Sequence, residues 1–223
     1  MQPAKKYTVI TGASSGIGYE TAKAFADRGK NLIVAARRRS NLEHLRHEIL
    51  EKHPALDVVI RAVDLSALDG VYQFYSGLKD FQLETWVNNA GFGNYDSVAH
   101  QDLEKIDTML RLNIESLTIL SSLFVRDYKD VPGTQLINLS SCGGYTIVPT
   151  AVTYCATKFY VSTFTEGLAW ELIESGARMR AKVLAPAATQ TEFGKKANNV
   201  DTYDYDKAFG TYHTSRQMAE FLM

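Results

Sequence analysis

The sequence contains little cysteine, almost no net charge and no long apolar run. Two cysteines, Cys142 and Cys155, are present among 223 residues, which excludes a disulfide framework and favours a reducing, cytoplasmic setting. The net charge of −1 gives no electrostatic reason to expect a nucleic acid or an anionic membrane as partner. No apolar run reaches the ~18 residues of a membrane span, and the first ten residues do not resemble a signal peptide.

The length and the hydrophobic pattern predict one α/β domain. The hydrophobic fraction is 45% and the charged fraction 22%, as in ordinary globular proteins. Short β-rich runs alternate with helical patterns, and most of the runs are apolar throughout, which is typical of strands buried on both faces of a parallel sheet. This alternation predicts a doubly wound, Rossmann-like parallel sheet in three layers. The predicted strands are 6–12, 31–37, 57–63, 84–90, 134–140 and 180–186, and the predicted helices are 16–29, 41–53, 67–80, 102–129 and 153–176.

The most polar and least periodic stretch is GKKANNVDTYDYDKAFGTY, residues 194–212. It is predicted as a loop with one short helix. Long loops in compact domains are often mobile lids over a site, so this stretch is the candidate substrate lid of the single domain 1–223.

A glycine-rich turn, TGASSGIG, follows the first predicted strand and places Gly12, Gly16 and Gly18 where a helix begins. Glycine lets the backbone approach a ligand closely, and a helix N-terminus offers free N–H groups to a pyrophosphate. The spacing differs from the usual dinucleotide fingerprint, and Tyr19 stands where an ATP- or GTP-binding loop needs lysine. A glycine-rich turn without a ligand is the alternative.

The second predicted strand ends in AARRRS, residues 35–40. An NAD-specific site typically has an acidic residue at this strand end, but Ala36 occupies the place and Arg37, Arg38 and Arg39 follow. Guanidinium groups suit a 2′-phosphate. The run therefore favours NADP(H) over NAD(H), although a solvated basic loop is the commoner fate of such a run.

Tyrosine stands four residues before lysine in four places: YETAK (19–23), YSGLK (75–79), YCATK (154–158) and YDYDK (203–207). On a helix such a pair lies on one face, where an ammonium group can assist proton transfer by the phenol. Spacing alone does not choose among the four.

TGASSGIG, VDL (63–65), NNAG (88–91), Asn113, the serine pair 140–141 and YCATK together resemble the short-chain dehydrogenase/reductase family in order and spacing. The resemblance covers about residues 5–193 and selects Tyr154, which lies 13 residues after Ser141. It implies an oxidoreductase that moves hydride between nicotinamide and a carbonyl or alcohol carbon of a small molecule. The cofactor-binding residues it implies are Gly12, Ser14, Ser15, Gly16, Ile17, Gly18, Arg37, Arg38, Asp64, Leu65, Asn89, Ala90, Gly91, Tyr154, Lys158, Pro186 and Thr191.

The catalytic residues implied by the resemblance are Asn113, Ser141, Tyr154 and Lys158. Tyr154 would be the general acid in carbonyl reduction and the general base in alcohol oxidation, with its pKa lowered from about 10 by Lys158 and a cationic nicotinamide. Ser141 would donate a hydrogen bond to the substrate oxygen. Lys158 would also hold the ribose hydroxyls. Asn113 would order a water of the proton relay, with an amide satisfying a helix bend as the alternative.

Two departures from the family stand out. Ala187 replaces the glycine of the motif after the sixth strand, and the chain stops after the predicted helix 214–223, where family members continue into a final strand. The resemblance also predicts pairing of the two long helices in a homodimer or homotetramer. The rival function is a non-catalytic NADP(H)-binding regulatory or scaffold protein, although Ser141, Tyr154 and Lys158 are all present.

Other polar clusters have plainer interpretations. His44 and His47 share a helix face but are flanked by Arg46 and Glu48, so a solvated face is predicted and no metal site. Cys142 and Cys155 are interpreted as small buried residues rather than a redox switch. Aromatic residues that either shape an apolar substrate pocket or belong to the core are Phe92, Tyr95, Tyr145, Phe193 and Tyr203.

Overall fold

The computed structural model describes residues 5–223 and is built on one parallel sheet. Six strands pair in the order β3-β2-β1-β4-β5-β6, and a separate two-strand pair, β7 with β8, lies outside that sheet. All six predicted strands are confirmed within two residues at each end. The strands are β1 Lys6–Thr11, β2 Asn31–Ala36, β3 Val58–Ala62, β4 Gln82–Asn88, β5 Gln135–Leu139, β6 Arg180–Leu184, β7 Thr189–Gln190 and β8 His213–Thr214.

Helices cover both faces of the sheet, so the domain has three layers. One face buries Trp86 and Phe124, and the other buries Ile10 and Leu45. The apolar runs are therefore explained by burial on two sides. The helices are α1 Gly16–Ala26, α2 Arg39–Lys52, α3 Leu68–Ser76, α4 Leu103–Leu110, α5 Leu117–Tyr128, α6 Val152–Glu174, α7 Phe193–Asn198, α8 Tyr205–Phe209 and α9 Ser215–Leu222.

The predicted helix 102–129 contains a wider turn in its middle. Residues Arg111–Ser116 form a π-helical segment between α4 and α5, a feature that often marks functional sites. By length and composition Leu103–Tyr128 also suits a membrane crossing, as core helices do. Here Leu120 and Phe124 are buried in the core beside Trp86, which is the arrangement of a core helix.

The segment predicted as a loop with one short helix contains two short helices, α7 and α8. The Tyr205 hydroxyl joins them, because it accepts a hydrogen bond from Gly194 N (3.0 Å) and donates one to Thr191 O (3.2 Å). A Cβ on Gly194 would lie 2.4 Å from the Tyr203 ring, so glycine is required for this packing. Tertiary contacts thus order a stretch whose sequence has no periodicity.

Helix α9, the last element of the described residues, packs on α1. Met218, Ala219 and Leu222 are buried, and Arg216 contacts Asp27 and Glu20 of the α1 region. Within residues 5–223 the main sheet ends at β6.

Candidate active site

The strand order turns at β1, because β2 lies on one side of it and β4 on the other. A crevice forms at the carboxyl ends of such strands, where ligands of doubly wound sheets bind. A cavity of about 290 Å³ opens there. It collects twelve of the residues expected at the site, namely Gly12, Ser15, Gly16, Ile17, Asn89, Ala90, Gly91, Ser141, Tyr154, Lys158, Pro186 and Thr191. Those that do not line it are Ser14, Gly18, Arg37, Arg38, Asp64, Leu65 and Asn113.

The glycine turn has the backbone that its sequence suggests. Gly12 and Gly16 have φ values of 67° and 59°, which favour glycine. A Cβ on Gly18 would lie 2.3 Å from the Asn89 side-chain nitrogen. Ser15 precedes α1 and makes no side-chain capping bond, so the first N–H groups of the helix remain available to an anion. The turn therefore fits a pyrophosphate.

The NNAG turn is fastened to the glycine turn. The Asn89 amide donates to the carbonyl oxygens of Thr11 (2.9 Å) and Gly12 (3.2 Å), and the Thr11 hydroxyl accepts the backbone N–H groups of Asn89 and Ala90. A Cβ on Gly12 would lie 2.8 Å from the Cα of Ala90. The two turns thus form one rigid floor for a ligand.

The two arginines after β2 differ in their surroundings. Arg37 is exposed, and within residues 5–223 its side chain makes no hydrogen bond or ion pair. Arg38 donates to the hydroxyls of Ser14 (3.3 Å) and Ser15 (2.7 Å) and contacts the Glu192 carboxylate at 3.0 Å. Of the two, Arg37 is therefore the cation without a protein partner in the described chain.

Asp64 and Leu65 follow β3 at the same edge. Burial acts to raise the pKa of Asp64, but hydrogen bonds from Ser66 and the nearby charge of Arg37 outweigh it and hold the pKa below its usual range. The carboxylate accepts the Ser66 hydroxyl at 2.7 Å. The Leu65 side chain is buried in the core, so only its backbone is available to a ligand.

Ser141, Tyr154 and Lys158 meet in the cavity. Ser141 follows β5, whereas Tyr154 and Lys158 stand one turn apart on α6. The Lys158 ammonium lies 5.9 Å from the centre of the Tyr154 ring and donates to Leu139 O at 2.8 Å. The Ser141 Oγ accepts Gly143 N at 3.1 Å and donates only a long, weak bond of 4.0 Å to Cys142 Sγ, so its hydroxyl proton can turn to a stronger acceptor in the cavity.

Burial dominates the ionisation of the pair. It raises the pKa of the Tyr154 phenol above its usual value, although the neighbouring Ser141 hydroxyl acts in the opposite direction. Burial also lowers the pKa of Lys158 from its usual 10.5 to about 8. The expected lowering of the Tyr154 pKa is thus not produced by the chain alone, because burial has the largest effect on the phenol and raises its pKa.

Lys158 offers the sharpest fit to a nicotinamide ribose. An ammonium group has three donors, and Leu139 O is its one hydrogen-bond acceptor within the described residues. The residue is only 6% exposed and lines the cavity, so bulk water does not readily satisfy its remaining donors. A Cβ on Gly91 would lie 3.7 Å from Nζ. Vicinal ribose hydroxyls would satisfy these donors.

Asn113 lies in the π-helical segment and holds the cavity wall. Its amide group accepts Phe92 N (3.2 Å) and donates to Phe92 O (2.9 Å) and to the Thr157 hydroxyl (3.1 Å). These bonds tie the loop after β4 to α6. The geometry matches the alternative of a satisfied amide at an irregular helix turn, while the water-ordering role stays a prediction.

Thr191 is positioned without the family's glycine. Ala187 has no positive φ, so alanine adopts this backbone without strain. The Cys142 N–H donates to Pro186 O at 2.8 Å. Thr191 packs directly against the glycine turn: a Cβ on Gly16 would lie 3.1 Å from the Thr191 methyl carbon.

The other three Tyr-x-x-x-Lys pairs have different surroundings. The Tyr75 hydroxyl is bound to Leu123 O and the Asp127 carboxylate, and burial raises the pKa of Tyr19 to about 12 beside Glu48. Tyr203 packs its ring on Gly194, and its partner Lys207 is exposed. Only the pair on α6 brings both members to the cavity.

Sequence reasoning missed Glu192 and Lys196, which line the cavity beside Thr191. Their spacing of four residues is visible in the sequence and predicts an ion pair on one helix face. The contact of Glu192 with Arg38 has no such local signal, because the two residues are 154 positions apart. Arg38 and then Lys196 lower the pKa of Glu192 to about 2, so Glu192 is ionised.

Of the cysteines, Cys155 is buried as expected, whereas Cys142 is exposed in the cavity wall, contrary to expectation, because it follows the end of β5. In residues 5–223 no cluster of metal-ligand residues occurs.

Comparison with known proteins agrees with this geometry. The family model described as short chain dehydrogenase matches residues 6–201. Sulfoacetaldehyde reductase of Chromohalobacter salexigens is 32% identical over 82% of this chain and 72% of its own. The human Dehydrogenase/reductase SDR family member 11 is 29% identical over 93% of this chain and 81% of its own. The solved short-chain dehydrogenase from Sphingobium yanoikuyae, in complex with NADPH, superposes with a TM-score of 0.87 at 27% identity over 96% of this chain and 82% of its own.

Proposed function

Because the chain belongs to the short-chain dehydrogenase family, we propose that it is an NADP(H)-dependent oxidoreductase acting on a small carbonyl or alcohol. The observation that carries the proposal is the meeting of Ser141, Tyr154 and Lys158 in one cavity beside the glycine turn. When bound, the cofactor supplies or accepts the hydride. A non-catalytic scaffold role is not favoured, since a protein without turnover has no need of these three side chains together.

In reduction, the substrate carbonyl oxygen lies between the Ser141 hydroxyl and the Tyr154 phenol. The Ser141 hydroxyl donates a hydrogen bond to that oxygen and so stabilises the negative charge that develops on it. Tyr154 Oη then transfers its proton to the same oxygen, and in alcohol oxidation the direction is reversed. Lys158, fixed by Leu139 O, holds the ribose hydroxyls and adds positive charge beside the phenol.

The cofactor preference rests on Arg37. It is exposed at the end of β2, where an acidic residue would select the 2′-hydroxyl of NAD, and it has no partner within residues 5–223. Asp64, whose carboxylate is ionised beside it, would accept the adenine amino group. The Sphingobium yanoikuyae relative was solved with NADPH, which supports the same choice.

Replacement of the proposed acid tests the reaction. Tyr154→Phe removes one hydroxyl and keeps the packing of the ring on Phe193 (centroids 5.3 Å apart). We expect carbonyl reduction with NADPH to fall by at least ~10²-fold, while NADPH affinity, measured by fluorescence titration, stays within a few-fold. Tyr75→Phe is the matched control, because its hydroxyl bonds α5 rather than the cavity. Undiminished turnover in Tyr154→Phe would refute the acid/base assignment.

A further inference from the structure

The cavity carries charge only in groups that already have partners in the described chain. Among the described residues, three with charged side chains line the cavity: Lys158, Glu192 and Lys196. Lys158 is buried on Leu139 O. The Lys196 ammonium contacts the Glu192 carboxylate at 2.8 Å, and Glu192 also contacts Arg38 at 3.0 Å.

This pairing determines how an anion would be received. The Lys196 and Glu192 side chains are 53% and 45% exposed, so a carboxylate, sulfonate or phosphate that entered would meet both charges, and Glu192 would offset the attraction of Lys196. Because Glu192 is held ionised by two cations, it does not give way by taking up a proton near neutral pH. The incoming anion would lose hydration without gaining a free cation, which is unfavourable.

Aromatic rings form the rest of the wall. Tyr95 and Phe193 stand with Tyr154 at the carbonyl end, where the ring centroids are 5.3–6.2 Å apart. Tyr205 packs on Tyr203 and Phe209 with centroids 5.0 and 5.9 Å apart, and these lid residues line the same cavity. These rings pack against one another and give the cavity an aromatic wall, on whose surface a flat apolar group would pack favourably.

The size of the cavity limits that group. About 290 Å³ lies at the lower end of the ~300–1,000 Å³ that is usual for ligand pockets. The nicotinamide end occupies part of it, because Gly12, Asn89 and Ala90 line the same space. The remainder suits a substrate with about one ring beside its carbonyl.

We propose that the substrate is an uncharged ketone or aldehyde with a flat apolar group about one ring in size, and that Glu192 enforces neutrality by cancelling Lys196. The assignment rests on the proposed function and narrows it. Ser141 and Tyr154 take the carbonyl oxygen, and Tyr95 and Phe193 contact the ring.

A matched pair of ligands tests the class without relying on turnover. Methyl para-acetylbenzoate and para-acetylbenzoate share ring and ketone, and the carboxylate lacks the ester methyl group and carries one negative charge. Isothermal titration of the protein saturated with NADP⁺ is expected to give at least about tenfold tighter binding of the ester. A straight-chain methyl ketone with as many heavy atoms is expected to bind more weakly than the ester. Equal or tighter binding of the carboxylate or of the straight-chain ketone overturns the proposal, as does failure of the ester to bind.

The role of Glu192 has its own variant. Glu192→Gln keeps the side-chain shape and frees Lys196, so para-acetylbenzoate is expected to bind about 3–10-fold more tightly while the ester changes less than twofold. Glu43→Gln is the matched control, because Glu43 pairs with Arg39 at the same helical spacing (2.8 Å) on α2, and it should alter neither ligand. No gain for the carboxylate in Glu192→Gln overturns the role of Glu192.

Turnover separates this inference from the proposed function. NADPH oxidation is followed with the ester and with the carboxylate in the same protein preparations. Ester binding without reduction of either ligand would contradict the oxidoreductase assignment while the binding preference stands. If the ketone of para-acetylbenzoate is reduced at least as efficiently as the ketone of the ester, the oxidoreductase assignment stays in place and the proposed substrate class is overturned.

Discussion

At the scale of single residues, Lys158, the proposed ribose-binding group, carries a buried charge that opposes folding. Burial lowers its pKa to about 8 from the usual 10.5, so below pH 8 the folded protein holds a desolvated charge that the unfolded chain solvates. The folded pKa is depressed, and its contribution to stability is therefore most favourable above pH 10.5 and is lost as pH falls through 8. Catalytic lysines commonly impose this conflict between stability and activity.

Lys158→Met tests this conflict through its pH dependence. The wild type should gain stability relative to the variant by about 2 kcal/mol between pH 7 and pH 9.5, because the variant has no ammonium to deprotonate. Urea unfolding of both proteins at the two pH values measures the difference. A constant difference between them would mean that Lys158 is not desolvated in the folded protein. The variant should also lose carbonyl reduction.

Arg37 and Arg38 are adjacent and are expected to act differently. Arg37→Ala should weaken NADPH binding about tenfold or more and leave NADH binding almost unchanged, because only NADPH carries the 2′-phosphate. Arg38→Ala should weaken both cofactors, since it removes the bonds that organise Ser14 and Ser15. Fluorescence titrations with each cofactor measure this. Equal losses in Arg37→Ala would contradict its assignment to the 2′-phosphate.

At the scale of elements, one carboxylate links α9 to α1 and α2. Asp27, just after α1, binds Lys52, His53 and Arg216 at 2.8, 2.9 and 3.0 Å. Lys52, then His53, and more weakly Arg216 hold the pKa of Asp27 well below its usual range, against the opposing effect of burial. This acid therefore joins α1, α2 and α9.

Asp27→Asn should reduce stability by about 1 kcal/mol at pH 7, after allowance for solvent screening. The Asp27 pKa is depressed by folding, so its contribution is complete above the unfolded pKa and is lost as pH falls below it. Because folding holds the Asp27 pKa so low, only part of the contribution is lost near pH 3, and urea unfolding there should show a smaller gap than at pH 7. Asp107→Asn is the control, since Asp107 is 61% exposed and pairs only with Arg111. A pH-independent gap would contradict the ionic explanation.

What the sequence can predict differs between elements for physical reasons. The strand Asn31–Ala36 is recognisable because both of its faces are buried, which leaves an apolar run. Gly12 and Gly16 are recognisable because few other residues adopt their backbone. The contact of Arg38 with Glu192 spans 154 positions and leaves no local trace. The same holds for α8, which is ordered by Tyr205 across the chain rather than by its own periodicity.

The π-helical segment Arg111–Ser116 is another feature that the sequence does not predict. Its residues, RLNIES, include no proline or glycine to signal irregular geometry. The cause is tertiary, because Asn113 must reach Phe92 and Thr157 at once. The position of Asn113 could therefore be expected from family resemblance, whereas its three bonds could not.

At the scale of the whole molecule, α6 presents an apolar surface that no part of residues 5–223 covers. Along its exposed side Phe159 and Tyr160 are each 38% exposed, Trp170 is 68% and Ile173 is 57% exposed. Small residues, Ala156, Thr163 and Gly167, lie between them. Such a surface is typical of a helix that pairs with a second copy, as the family resemblance predicts.

Trp170→Glu tests whether α6 forms that interface. The wild type, with a chain mass of 24.8 kDa, should elute in light-scattering chromatography as a dimer or tetramer at tens of micromolar. A buried charge without a partner at the interface should shift the variant toward the monomer. Phe221→Glu on α9, which is also 68% exposed, controls for a surface charge added elsewhere. A wild type that is monomeric at all concentrations, or a variant that keeps the wild-type mass, would place this surface outside any interface and leave Trp170 as an isolated exposed side chain.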